Sequence, residues 1–296
     1  MDRLQAMQVF RRVAEHSSFS KAAEQLDLPR ATVTNAVQQL EKQLGVRLLQ
    51  RTTRKVSLTH EGSLYLERCS RVLDELADAE QLFAPQVQPR GVVRVDLPER
   101  LARLRVIPAL PDFFVRFPEM RLKLSASDRF VDPVGEAIDC VVRVGPLRDS
   151  SLVARRVGLM QQVNLASRDY LERHGRPRTL ADLPQHVAVN YFSTRTGRDL
   201  EWEYREGGRD RSLKMRSLVS VSSSEAYWAC CLAGLGLIQA PRQGVEEMLE
   251  AGVVEEVLPR WRPPALPVSV IVAHQRQLSP RVRVFVDWIV ELLAPR

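Results

Sequence analysis

Arg30, Ala31, Thr32, Thr34, Asn35 and Gln38 fall at the start and along the outer stripe of one helical segment. Their side chains carry the chemistry of base recognition. A guanidinium can bond bidentately to guanine, a carboxamide to adenine, and an alanine or threonine methyl can meet the methyl of thymine. Each good bidentate pair is worth about 1–3 kcal/mol of discrimination. Arg51, Arg54 and Lys55 follow in a short basic segment and suit phosphates or an arginine inserted in a minor groove. Taken singly, Gln38 or Lys55 reads equally well as a solvated surface residue.

The elements that must hold these side chains are legible from apolar spacing. Phe19, Ala22, Ala23 and Leu26 form one helical stripe, and Val33, Val37, Leu40 and Leu44 form a second. Only Asp27-Leu28-Pro29 separates them, which leaves room for nothing but a tight corner between helices. Such a corner holds the second helix proud of its base, where it can enter a major groove. A preceding helix over about 2–15 supplies Leu4, Met7, Phe10, Val13 and Ala14 to the shared core. Ser18 or Ser20 can cap the second helix, Pro29 suits the first turn of the third, and Gly45 closes it. Two strand-like pieces at 46–49 and 55–58 bracket a basic tip, forming a hairpin or wing.

Net charge is +7 over 296 residues, a bias that suits a polyanionic partner. Residues 1–60 hold ten Lys and Arg against five Asp and Glu, so most of the excess lies beside the candidate base readers. The four cysteines (Cys69, Cys140, Cys230, Cys231) lack C-x-x-C spacing and read as reduced thiols. Vicinal Cys230-Cys231 could sense oxidants only through a strained bridge. No apolar stretch approaches a membrane span, and the opening residues form an amphipathic helix and not an export signal. The expected location is the cytoplasm, with no cofactor.

From Thr59 a longer helical pattern runs to the prolines near residue 85. Tyr65, Cys69, Val72, Leu76, Ala79 and Phe83 follow a 4-3-4-3-4 spacing, the seam of a two-stranded coiled coil and so a candidate dimerisation helix. The alternative is a helix packed on its own domain. Beyond Gly91, strand patterns (92–95, 121–125, 140–144, 162–167, 187–191, 217–221, 237–240, 268–272) alternate with helical ones (101–117, 170–175, 225–234, 243–251, 280–293), which indicates an α/β sheet.

The run from Phe19 through Gly62 resembles the N-terminal signature of LysR-type transcriptional regulators. The shared elements are Ala22-Ala23, Leu40-Glu41, Leu44-Gly45-Val46, Leu48-Leu49, Arg51-Thr52 and Leu58-Thr59-x-x-Gly62. Sparser matches follow at Phe117-Pro118, Asp139, Arg143-Val144-Gly145, Leu183-Pro184 and Ala233-Gly234-Leu235-Gly236 ahead of Pro241. Arg30-Ala31 stands where the family usually has Gln-Pro, and Thr34-Asn35 where Ser-Arg is common; these departures leave DNA binding intact, and the resemblance does not carry a base preference over to them.

The resemblance implies an α+β multidomain chain. A winged helix-turn-helix DNA-binding domain would span 1–58, and a dimerisation helix with a hinge 59–90. An α/β effector domain like a periplasmic binding protein would span 91–296, with subdomain I at 91–160 and 267–296 and subdomain II at 161–266. It further implies a homodimer or homotetramer on double-stranded DNA bearing an interrupted inverted repeat near a promoter, and a small-molecule effector in the cleft. Strand ends facing that cleft make Leu97, Pro98, Ser125, Ser127, Arg129, Tyr191, Ser193, Ser222 and Ser223 the candidate effector-binding residues. Ser222 and Glu225 have the spacing of a capping box, which leaves Ser223 the better ligand candidate at a helix start that attracts carboxylates. Arg129 is either a partner for an acidic effector or one half of a surface ion pair.

Two rivals stand against this reading. An enzyme fused to a DNA-binding module lacks support, since there is no phosphate-binding loop, dinucleotide fingerprint or nucleophile elbow. His16, His60, His174, His186 and His274 are scattered without metal-ligand spacing. A solute-binding protein without regulation is opposed by the helix-turn-helix.

Overall fold

The computed structural model describes residues 1–51, 56–81, 88–129, 131–133, 135–147, 153–272 and 278–294. The chain divides into two compact units, Met1–Val87 and Gln88–Arg296.

The first unit is built on α1 (Arg3–His16), α2 (Phe19–Leu26) and α3 (Arg30–Leu44). Each helix begins or ends on a local device. Asp2 accepts from the Gln5 N–H in a capping box, and Ser18 caps α2 through the Lys21 N–H. Asp27 and Gly45 take left-handed backbone at the C-termini of α2 and α3. Pro29 precedes the first helical residue of α3. The apolar stripes meet in one core around Phe10, Val13, Phe19, Ala22, Val33, Val37 and Leu40. Full burial of each large side chain contributes about 1.5–3 kcal/mol.

An antiparallel hairpin, β1 (Leu49–Arg51) with β2 (Val56–Leu58), leads into α4 (His60–Gln81). The wing tip with Arg54 and Lys55 lies outside the described residues, as does Phe83.

α4 corrects part of the expected seam. Tyr65 packs on the core and faces Phe10 with ring centroids 5.7 Å apart, and Cys69 and Leu73 are buried. Arg11 of α1 reaches Asp74 of α4 at 3.1 Å. The physical reason is that α4 lies against α1 and must satisfy its own domain first. Val72 and Leu76 remain exposed at 44% and 37%, with Leu64 at 55%, and Ala79 is exposed beside them.

The second unit holds two groups of strands. The first sheet runs β4-β3-β5-β14-β6, made of β3 (Gly91–Leu97), β4 (Met120–Ala126), β5 (Cys140–Val144), β6 (Val153–Met160) and β14 (Leu266–Val272). β3 is parallel to β4 and β5, whereas β14 is antiparallel to β5 and β6. Its core includes Val93, Val95, Phe113, Phe285 and Trp288. These aromatics come from α6 (Ile107–Arg116) and α10 (Pro280–Leu293). A short helix α5 (Glu99–Leu101) and a π-helical turn at Ala102–Val106 join β3 to α6. The expected helix over 101–117 is thus three stacked pieces.

The chain leaves this sheet after Met160 and returns at Leu266. Between them β7 (Gln162–Ser167) is the centre of a three-stranded antiparallel sheet with β12 (Ile238–Pro241) and β13 (Val254–Val257). A parallel pair, β8 (Ala188–Tyr191) with β11 (Ser217–Val221), joins it through an Ala188–Leu237 bridge. A hairpin of β9 (Trp202–Glu206) and β10 (Arg209–Leu213) projects from this region. Helices α7 (Arg168–His174), α8 (Ser224–Leu232) and α9 (Glu246–Glu250) complete it.

Candidate nucleic-acid interface and ligand cavity

The start of α3 sorts its side chains as the periodicity requires. Val33, Ala36, Val37 and Leu40 are buried; Arg30, Ala31, Asn35 and Gln38 are exposed, and Thr32 and Thr34 are half-buried. Five residues of one helical turn and a half, plus Gln38 one turn on, therefore share an outward stripe. Arg51 belongs to β1.

The hairpin is tied to this helix by a side chain whose role was not apparent from spacing. Glu41 of α3 accepts the Leu48 N–H at 2.8 Å and the Leu49 N–H at 3.0 Å. Thr59 then caps α4, its hydroxyl oxygen accepting the Gly62 N–H at 2.8 Å while donating to the Arg47 carbonyl at 2.6 Å. Gly62 is required by contact: a Cβ there would stand 1.9 Å from the Leu48 carbonyl oxygen. Leu40-Glu41, Leu48-Leu49 and Thr59-x-x-Gly62 are thus one mechanical unit that fixes the wing to the reading helix.

The second unit contains a cavity of about 400 Å³, within the range of small-molecule sites. Pro98, Ser127 and Tyr191 line it. The other candidates do not. Leu97 is fully buried in the first sheet's core. Ser125 is exposed, Ser193 sits in a turn where its N–H donates to the Arg198 carbonyl, and Arg129 pairs with Glu136. Ser222 offers only its carbonyl, which accepts the Tyr191 hydroxyl at 2.9 Å. The capping assignment is reversed: Ser223 is the N-cap of α8, accepting the Ala226 N–H, and Ser222 lies one residue before it. The helix starts one residue later than the S-x-x-E spacing suggests.

Several cavity residues were not anticipated. Arg100, on the helix after β3, lies 4.3 Å from the centroid of Trp228 and donates to the Gly244 carbonyl at 3.1 Å. Burial pulls its pKa down and Glu225 opposes that. Arg143 bonds the fully buried Asp96 at 2.7 Å. Asp128 accepts the Ser224 N–H at 2.6 Å. Burial first, and the charge of Asp128 next, raise the Tyr191 phenol well above its usual range, and burial does the same to Tyr227. Both are neutral hydroxyls at physiological pH. A signal for one part was present: Gln162 and Asn164 are polar residues in a strand whose six residues are all buried. Such groups demand partners, and Gln162 finds the Pro264 carbonyl at 2.8 Å. No cluster of His, Cys, Asp or Glu suited to a metal ion occurs among the described residues, and none of their helices is long and apolar enough to cross a membrane.

Residues 4–63 match the family of bacterial regulatory helix-turn-helix proteins of the lysR type, and residues 86–294 match the LysR substrate binding domain. YhjC of Escherichia coli K12, named an uncharacterized HTH-type transcriptional regulator, is 40% identical over 98% of this chain and 97% of its own length. An HTH-type transcriptional repressor of Pseudomonas aeruginosa is 39% identical over 99% and 93%. The solved structure of CrgA, a LysR-type transcriptional regulator from Neisseria meningitidis, is similar at a TM-score of 0.63 and 32% identity, over 98% of this chain and 99% of that one. The outward stripe of α3, the braced wing and the two-sheet unit with its cavity agree with these matches, and the chain belongs to the LysR family of DNA-binding transcriptional regulators, whose activity a small-molecule effector modulates.

Proposed function

We propose that Arg30, Ala31, Thr32, Thr34, Asn35 and Gln38 read base edges in each half of an interrupted inverted repeat near a promoter. Arg51, Arg54 and Lys55 of the wing hold the flanking phosphates. Two copies pair through α4, using Val72, Leu76 and Ala79 together with Leu64, and pairs associate further into a tetramer. In this division 1–58 reads DNA, 59–90 pairs and hinges, and 91–296 senses the effector, all in the cytoplasm. The effector occupies the cavity bounded by Pro98, Ser127, Tyr191 and Trp228.

The observation that carries this reading is the exposure of the polar stripe of α3 directly opposite its buried Val33, Val37 and Leu40. A side chain tucked into the core could not reach a groove. Gel shifts of the full chain on the DNA upstream of its own gene test it. A discrete complex should persist under a large excess of random competitor, with affinity falling steeply as salt rises. Equal binding to all sequences would contradict it.

A further inference from the structure

The place where an anionic ligand would be expected in the cavity is already filled by the protein itself. Free N–H groups at the start of α8 would attract a carboxylate. There the Ser224 N–H meets Asp128 Oδ2 at 2.6 Å, and a second donor of that turn, the Ala226 N–H, is taken by the Ser223 hydroxyl. Asp128 comes from the segment after β4, 96 residues before Ser224. The chain thus inserts its own carboxylate where a ligand's would sit.

The cations of the wall are engaged as well. Arg143 is held by Asp96 and by the carbonyls of Val142 and Arg129. Arg100 is held by Trp228, the Gly244 carbonyl and Glu225 at 3.6 Å. Arg105 donates to the Leu292 carbonyl at 3.2 Å. Against these three guanidiniums stand Asp128 and Glu201 in the lining and Asp96 behind it, while Glu225 is shared with Arg103 at 3.2 Å. The charges of the wall thus balance among themselves, and an added charge of either sign gains no net attraction.

What is left over is neutral. The indole N–H of Trp202, the hydroxyl of Ser224 and the amide oxygen of Gln243 have no hydrogen-bond partner among the described residues, and all three residues line the cavity. Trp202 is only 5% exposed. Buried polar groups without partners are uncommon in folded chains; these three atoms are covered as the cavity stands, and a ligand that turns their side chains toward it would supply what they lack. Tyr191 and Tyr227 stand edge to face with centroids 5.5 Å apart, adding aromatic wall.

We infer that the cavity takes a neutral, planar aromatic ligand of one or two rings bearing a hydroxyl or amide group, in preference to a free carboxylate or an amine. This rests on the reading of the cavity as the effector site.

The test is calorimetric titration of the full-length protein with two matched sets. One set is 2-naphthol, 2-naphthamide, 2-naphthoate and 2-naphthylmethylamine; the other is their single-ring counterparts. In at least one set the neutral members should bind about tenfold or more tighter than the carboxylate and the ammonium. Asp128→Asn keeps an acceptor for the Ser224 N–H but removes the charge, and should shift the preference toward the carboxylate by a similar factor. Trp202→Phe removes the indole donor together with its five-membered ring and should weaken the neutral ligand about fivefold or more. Tightest binding of the carboxylate or the ammonium by the wild type would overturn the ligand class while leaving the effector site standing. No binding by any member, in any variant that melts cooperatively, would overturn both.

Discussion

Replacing Gly62 by Ala isolates the joint between wing and reading helix. In an ordinary helix this change stabilises by about 0.8–1 kcal/mol, because alanine loses less backbone entropy than glycine. Here the added Cβ would stand 1.9 Å from the Leu48 carbonyl oxygen and 2.8 Å from its carbon. Neither is the end of a flexible side chain, so backbone must move. That carbonyl also accepts the Thr59 N–H at 3.0 Å, so separating the segments strains the bond that starts α4. Overpacking costs typically 1–3 kcal/mol, and losing a hydrogen bond at a buried group adds about 1–3 kcal/mol. After the propensity gain is subtracted, a net loss of about 2–3 kcal/mol is expected. For a unit of this size that lowers its melting temperature by roughly 10–20 °C. Differential scanning calorimetry of the full chain reads it as a shift of the transition belonging to residues 1–87, accompanied by weaker DNA binding. A variant as stable as the wild type, or more so, would refute the close-approach argument, since helix propensity alone predicts that outcome.

Three further outcomes follow from the same structure. Val72→Asp or Leu76→Asp places a charge on the exposed stripe of α4, so it should halve the mass in light scattering and weaken operator binding; unchanged mass would remove α4 from the pairing surface. Arg143→Met leaves the fully buried Asp96 without its cation and should cost about 3 kcal/mol in urea unfolding, with most of the loss recovered when Asp96→Asn is added; a loss below ~1 kcal/mol would show that the pair is not needed. Burial lifts the thiol of Cys69 to about 11 and those of Cys140 and Cys231 to about 12, from 9.0 in an open chain. A thiol kept neutral by folding contributes stability below pH 9 that is lost as pH climbs through its folded value. Stability should therefore fall between about pH 9 and 12, and iodoacetamide at pH 8 should leave these three unlabelled in the native protein; rapid labelling would contradict their burial.

The helix-turn-helix was legible because a period of 3.6 residues and a three-residue gap leave one arrangement. Strands such as 140–144 and 162–167 were legible as apolar runs between turns. The strands that escaped notice lack such a signature. β9 and β10 bury little beyond Trp202, β13 is four residues with two glutamates at its centre, and β6 carries Arg155-Arg156 beside a register shift in its pairing with β14. The seam of α4 serves two surfaces: Tyr65 and Cys69 are used by the helix's own core, whereas Val72 and Leu76, only about 60° and 20° around the helix from Cys69, stay exposed. Candidate cavity residues chosen from strand ends captured Pro98, Ser127 and Tyr191. Arg100 and Trp228 escaped because the direction of a helical side chain into a cleft is set by how the helix packs on the sheet, which spacing alone does not encode; Gln243 escaped because the helical pattern expected from 243 begins only at Glu246, leaving it in a turn. Asp128 escaped for a related reason: its partner, the Ser224 N–H, is a backbone group 96 residues away.

The central claim is that the N-terminal stripe of α3 touches base edges. Its most direct test measures the affinities of wild type and Arg30→Ala for every single-base variant of the operator at fixed salt. The account predicts a loss of discrimination confined to one or two base pairs in each half-site, worth about 1–3 kcal/mol, with the remaining positions read as before. A uniform drop across all variants and random DNA alike would place Arg30 on the phosphates and contradict the claim.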